Sequence, residues 1–131
     1  MKLVDYMRDF IYYWLLVFVY AGLIFYFSSL PTIPPLILKI IPETFILHMI
    51  EYAILTILLF RALTNSKNSS LNNTIFLSIT IAVLYGVTDE IHQHFVPGRT
   101  FSVLDVFGNS IGSMLGIIIN LKFYNKIRQI A

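Results

Sequence analysis

From Phe10 to Phe27 the chain carries no Asp, Glu, Lys or Arg. That run approaches the roughly 20 apolar residues a helix needs to cross the hydrocarbon core of a bilayer. It is apolar on every side, as a lipid-facing helix should be. A secretory signal peptide is the rival reading, but its apolar core is usually about 7–15 residues followed by a small-residue cleavage site. Here the run is longer and leads into Ser28-Ser29-Leu30-Pro31, so a retained span is expected. Composition agrees. Charged residues make up 12% of the 131 and hydrophobic residues 57%, against about 25% charged in soluble domains. A net charge of +2 and the absence of cysteine argue against a nucleic-acid partner and rule out disulfides, zinc–thiolate sites and thiol chemistry. Any metal would need His, Asp, Glu or Asn ligands.

Tyr6, Tyr12, Tyr13 and Trp14 lie near the start of the first span, where aromatic side chains favour the interface, and Arg8 and Asp9 mark the water boundary. Pro31 ends this helix. Leu30–Glu43 reads as a connector whose prolines, Pro31, Pro34, Pro35 and Pro42, break regular helix. Its segment LILKII is either a short interfacial helix or a first turn leading into the second span. That span is Thr44–Leu63, with Arg61 at its far end. Thr64–Asn73 is a polar loop. Its two glycosylation sequons, at Asn68 and Asn72, are expected by chance in such an Asn/Ser-rich stretch.

The third apolar run, Thr74–Val87, is too short. At about 1.5 Å per residue it covers roughly 21 Å of a core about 30 Å thick. The helix must therefore continue towards Pro97-Gly98, which places Asp89, Glu90, His92 and His94 in its last two turns. A tight turn follows, then a fourth span from Leu104 to about Leu121 with Ser102 as N-cap. The fold expected is all-α: a single integral-membrane domain with four transmembrane helices at roughly 10–27, 44–63, 74–95 and 104–121. The nine basic residues divide into Lys2, Arg8, Arg61, Lys67, Lys122, Lys126 and Arg128 on one side, and Lys39 and Arg99 on the other. The positive-inside rule then puts both termini in the cytoplasm of a cell-membrane protein.

That arrangement gathers the polar groups at one depth. His48, Glu51 and Tyr52 share a face at the start of the second span. Asp89, His92 and Gln93, with Tyr85, form a face at the end of the third, beside Glu90 and His94, while Ile91 points away. Asp105, Asn109 and Ser113 repeat every four residues from the start of the fourth. Placing such ionisable groups singly against lipid costs about 2.5–3.5 kcal/mol each on insertion scales, so they are expected to face one another. Gly108, Gly112 and Gly116 form a second stripe that lets helices approach closely. It packs within the bundle or, alternatively, in a homodimer. Glu51, Asp89, Glu90 and Asp105 oppose a single fixed cation, Arg99. Protonated carboxylates and charged histidines balance this without a further component; the alternative is a bound cation, metal or cationic ligand group.

The double serine after the first span, H-x-x-E-Y in the second, and YGVTDEIHQHFVPGRTFSVLDVFGNSIGSMLG from Tyr85 to Gly116 resemble the VanZ-like membrane proteins. The resemblance runs from about Trp14 to Gly116. It singles out His48, Glu51, Tyr52, Asp89, Glu90, His92, Gln93, Phe95, Pro97, Gly98, Arg99, Asp105, Asn109 and Gly112. Leu30 departs from the glutamine often found after the double serine. The family takes its name from a member that lowers susceptibility to teicoplanin, and it implies a site more than an activity.

Three functions fit. The first is binding or modifying a lipid-linked cell-envelope component at the outer leaflet, with Arg99 on a phosphate and His48, Glu51 and Asp89 on polar headgroup atoms. The second is an intramembrane enzyme using acid–base chemistry or a divalent metal, for which His48 with Glu51 and Asp89 with His92 have reachable spacing. The third is a structural or partner-modulating protein with the polar groups as glue. The bland readings are specific too. His48 and Glu51 can form an interhelical hydrogen-bonded pair, and Tyr52 a hydrogen-bonded support. His94 and Arg99 can face headgroups, and Asp105 can complement a helix dipole.

Overall fold

The computed structural model describes residues 3–40, 43–65 and 70–130. Lys2, Pro42 and Lys67 lie outside the described residues, as do most of the loop between Asn65 and Ser70, including Asn68, and the side chains of Tyr6, Lys126 and Arg128. All regular structure among the described residues is helical: α1 (Leu3–Ser28), α2 (Pro35–Ile40), α3 (Thr44–Thr64), α4 (Leu71–His94) and α5 (Val103–Ile130). Four of these, all but α2, are long and apolar enough to cross a membrane.

The boundaries follow local chemistry. The Ser29 hydroxyl donates to the Phe25 carbonyl at 2.7 Å and closes the last turn of α1. In the connector, Pro35 occupies the first helical position, where a missing N–H costs nothing, and Ile37 N–H bonds the Pro34 carbonyl. LILKII therefore contributes to a short separate helix, and the proline-rich connector is not wholly irregular. α4 starts at Leu71 and not at Thr74, because the Ser70 hydroxyl accepts from Asn73 N–H and caps it. Asn72 and Asn73 thus belong to its first turn. At its far end α4 runs to His94. Gly98, at φ 85°, then turns the chain in a region L side chains avoid. Ser102 caps α5 by accepting from Asp105 N–H at 3.2 Å. α1 and α5 both outrun the apolar windows predicted from hydropathy, since a helix does not stop where the bilayer does.

α3 and α5 form the most extensive helix pair. Gly108, Gly112 and Gly116 lie against the backbone carbonyls of Phe45, Met49 and Ala53 respectively; a Cβ at Gly116 would stand 2.5 Å from the Ala53 oxygen. The matched increments of four show that the two helices run parallel, as second and fourth spans of an up-down bundle must. The glycine stripe is used inside the chain and not on a free face. α1 packs on α3 and α4, tied by the Tyr20 hydroxyl to the Glu51 carbonyl and by the Tyr85 hydroxyl to the Ala21 carbonyl.

The layering is partly inverted relative to a soluble bundle. Phe18, Phe76 and Leu104 are each about two-thirds exposed, whereas His48, Thr56, Ser78, Asp89, Glu90, Asn109 and Ser113 are buried. Many large apolar side chains face outward, as a bilayer requires, while these polar ones are sheltered by the helices beside an apolar core that includes Val17, Leu55 and Leu59.

Candidate functional site

The buried ionisable groups collect at the end of the bundle where α1 and α4 finish and α3 and α5 begin. His48 lies at their centre. Its Nδ1 is 3.0 Å from Asn109 Oδ1, and its Nε2 is 3.5 Å from Glu90 Oε1 and 3.8 Å from Asp105 Oδ2. An amide oxygen only accepts, so Nδ1 carries the proton in this pair. Glu90, with no solvent exposure, has its other oxygen held by Ser102 N–H at 3.0 Å. One carboxylate thus joins the end of α4 to the start of α5. Asp105 accepts from the Thr44 hydroxyl at 3.2 Å, joining α5 to α3.

A second strand of bonds leads outward. Gln93 Nε2 donates to Asp89 Oδ2 at 3.1 Å and to Ser28 Oγ at 3.0 Å, while its Oε1 accepts from Arg99 Nη2 at 2.6 Å. Gln93 therefore couples the carboxylate, the end of α1 and the fixed cation. Asp89 Oδ1, Glu90 Oε1, Arg99 Nη1, Asn109 Nδ2 and the Tyr52 hydroxyl are buried with no hydrogen-bond partner among the described residues. Such groups are rare in folded proteins and each calls for an explanation.

Two cavities adjoin this network. One, about 100 Å³, has an apolar wall of Ile24, Phe27, Ile33, Ile37 and Leu47 and a polar wall of Ser28, His48, Glu51, Gln93 and Arg99. The other is a groove of about 440 Å³ between the connector and the α4–α5 turn, and it shares Gln93 and Arg99 with the first. A further cavity of about 340 Å³ at the opposite end is lined by Tyr13, Arg61, Asn120 and neighbours.

The structure places the anticipated residues unevenly. His48, Asp89, Glu90, Gln93, Asp105 and Asn109 converge. Glu51 and Arg99 line the cavity. His92 turns to α1, with Nε2 3.0 Å from Ser29 Oγ and its ring stacked on Phe25. His94 is exposed against Phe95. The metal pairings drawn from i, i+3 spacing are regrouped: among the described residues, the histidine–carboxylate set with donor atoms within 4.8 Å of one another is His48, Asp89 and Glu90, with Glu51 and His92 outside it. Tyr52 is fully buried beneath His48, but its hydroxyl lacks the expected hydrogen bond. Ser28, Ser29 and Thr44 were not anticipated as site residues. A double serine ending an apolar helix reads as a stop signal, and only its depth, level with Gln93 and His92, marks it as more.

These features define a multi-pass helical membrane protein with a buried acid–histidine–amide network at one end of its bundle. The sequence matches the VanZ/LLP1 family over residues 10–124, and the chain belongs to that family. No curated protein and no solved structure shows significant similarity to it.

Proposed function

We propose that this chain binds the polar headgroup of an amphiphile, a lipid-linked cell-envelope component, at the outer leaflet, with both termini cytoplasmic. The observation that carries this reading is the two-faced cavity: isoleucine, leucine and phenylalanine on one wall, His48, Glu51, Gln93 and Arg99 on the other. Such a lining suits a molecule that is apolar along one side and polar at its end. The adjoining groove, at about 440 Å³, falls within the roughly 300–1,000 Å³ usual for ligand sites. Arg99, held by Gln93 through Nη2, borders both cavities and suits a phosphate, the planar anion-binding role arginine fills best. The uneven division of basic residues supports the orientation.

Native mass spectrometry of gently extracted protein tests the reading. One phosphate-bearing amphiphile per chain is expected in the wild type, with loss of most of it in Arg99→Gln. Bound lipid that merely mirrors the bulk membrane in both proteins refutes it. If the ligand is an envelope precursor, expression is also expected to lower teicoplanin susceptibility, read as a rise in inhibitory concentration that Arg99→Gln abolishes.

A second reading, an intramembrane enzyme acting on the same class of molecule, is favoured by one observation: His48 and two carboxylates converge within reach of the cavity. Turnover of a purified lipid substrate would separate enzyme from binder.

A further inference from the structure

We infer that His48, Asp89 and Glu90 form a binding site for a divalent first-row transition ion, of which zinc and manganese are the best matched. Each of the three side chains is more than nine-tenths buried, and one ligand atom from each lies within 4.8 Å of the others. What distinguishes the group from a packed polar cluster is how its atoms are used. Each side chain has one atom held from outside and one left over. His48 Nδ1 is held by Asn109, Asp89 Oδ2 by Gln93, and Glu90 Oε2 by Ser102 N–H. Asp89 Oδ1 and Glu90 Oε1 have no hydrogen-bond partner among the described residues. With Nδ1 paired to Asn109, Nε2 is the ring nitrogen left to take an ion. This is the usual arrangement around metal ligands, where outer hydrogen bonds fix the tautomer and orient the donors.

The spacing points the same way. His48 Nε2 and Glu90 Oε1 are 3.5 Å apart, long for a hydrogen bond, whose usual range ends near 3.2 Å. Two donors about 2.1 Å from a tetrahedral ion stand about 3.4 Å apart. One imidazole with two carboxylates suits zinc, manganese or ferrous iron. The ion would also offset the excess of carboxylates over Arg99. Asp105, 3.8 Å from His48 Nε2, lines the outer groove and marks the route by which an ion enters.

The inference does not depend on the amphiphile reading, because it needs only three side chains and their holders. The full chain in detergent, loaded with Zn²⁺ or Mn²⁺ alone and desalted, is expected to retain about one ion per chain by elemental mass spectrometry. His48→Gln, Asp89→Asn and Glu90→Gln should each weaken retention at least tenfold. Asn109→Ala should weaken it about 10–100-fold without removing a ligand, through loss of orientation at His48. His92→Gln should bind as the wild type does, because the His92 ring is turned to Ser29 and Phe25. Wild-type protein that retains no such ion overturns the site whatever the variants do, as does full retention by Asp89→Asn or Glu90→Gln. Lipid retention is read separately, so either proposal can fail without the other.

Discussion

Asn109 is fully buried between α3 and α4, and Gly86 makes the room it needs. A Cβ at Gly86 would fall 2.6 Å from Asn109 Nδ2 and 3.0 Å from Tyr52 Cε1. Gly86→Ala is therefore expected to push Asn109 away from His48 and to cost about 1–3 kcal/mol, the usual range for overpacking, read as a lowered unfolding temperature in detergent. Gly22→Ala is the control: nothing lies within 4 Å of its added carbon, so it should leave stability unchanged or raise it by up to about 1 kcal/mol through helix propensity. Gln93→Leu should be more damaging, since Asp89, Ser28 and Arg99 each lose the same partner; a buried polar group left unsatisfied costs about 1–3 kcal/mol. Thermal unfolding that matches the wild type would show that the Gln93 hub is not needed. At this scale the residue types and their depth were legible in the sequence, because charge in an apolar chain stands out. Rotation was not. A helical wheel puts His92 beside Asp89, but it cannot say that α1 stands on that side with Ser29 and Phe25 to receive it. Nor could spacing along one helix reveal that His48 pairs with Glu90 from another.

The spans were legible to within a few residues because bilayer thickness demands a minimum length. That arithmetic puts Asp89–His94 at the end of the third helix, where the structure has them. The misses sit where the bilayer exerts no control. α4 begins at its Ser70 cap and α5 continues to Ile130, both decided by hydrogen bonds and propensity and not by hydropathy. Ser102 gives a test at this scale. Ser102→Ala removes the hydroxyl that accepts from Asp105 N–H but keeps the backbone N–H that holds Glu90. It should destabilise the protein by about 1 kcal/mol, measured by denaturant unfolding in detergent, while metal retention stays at the wild-type level. Loss of both together would mean that the start of α5 is positioned by its cap alone.

For the whole molecule, four spans in an up-down order put the connector and the α4–α5 turn at one end and the α3–α4 loop at the other. The absence of native cysteine makes this easy to check. Thr32→Cys should react with a membrane-impermeant maleimide on intact cells, whereas Asn65→Cys should react only after lysis. The opposite pattern would invert the molecule and move the His48 network to the inner leaflet. The seam between α3 and α5 has a further consequence, for how chains of this design can diversify. With three carbonyls of one helix against three glycines of the other, no side chain separates the pair, and no substitution there can tune its width. The floor that carries His48 and Asn109 is thus nearly invariant in shape. Phe27, Ile33 and Ile37, on α1 and the connector, lie on the opposite wall and are at least partly exposed, so they can change size more readily. Selection for a new ligand should therefore leave its record at Phe27, Ile33 and Ile37, and a saturation-mutagenesis map should show tolerance at those positions and intolerance along the seam.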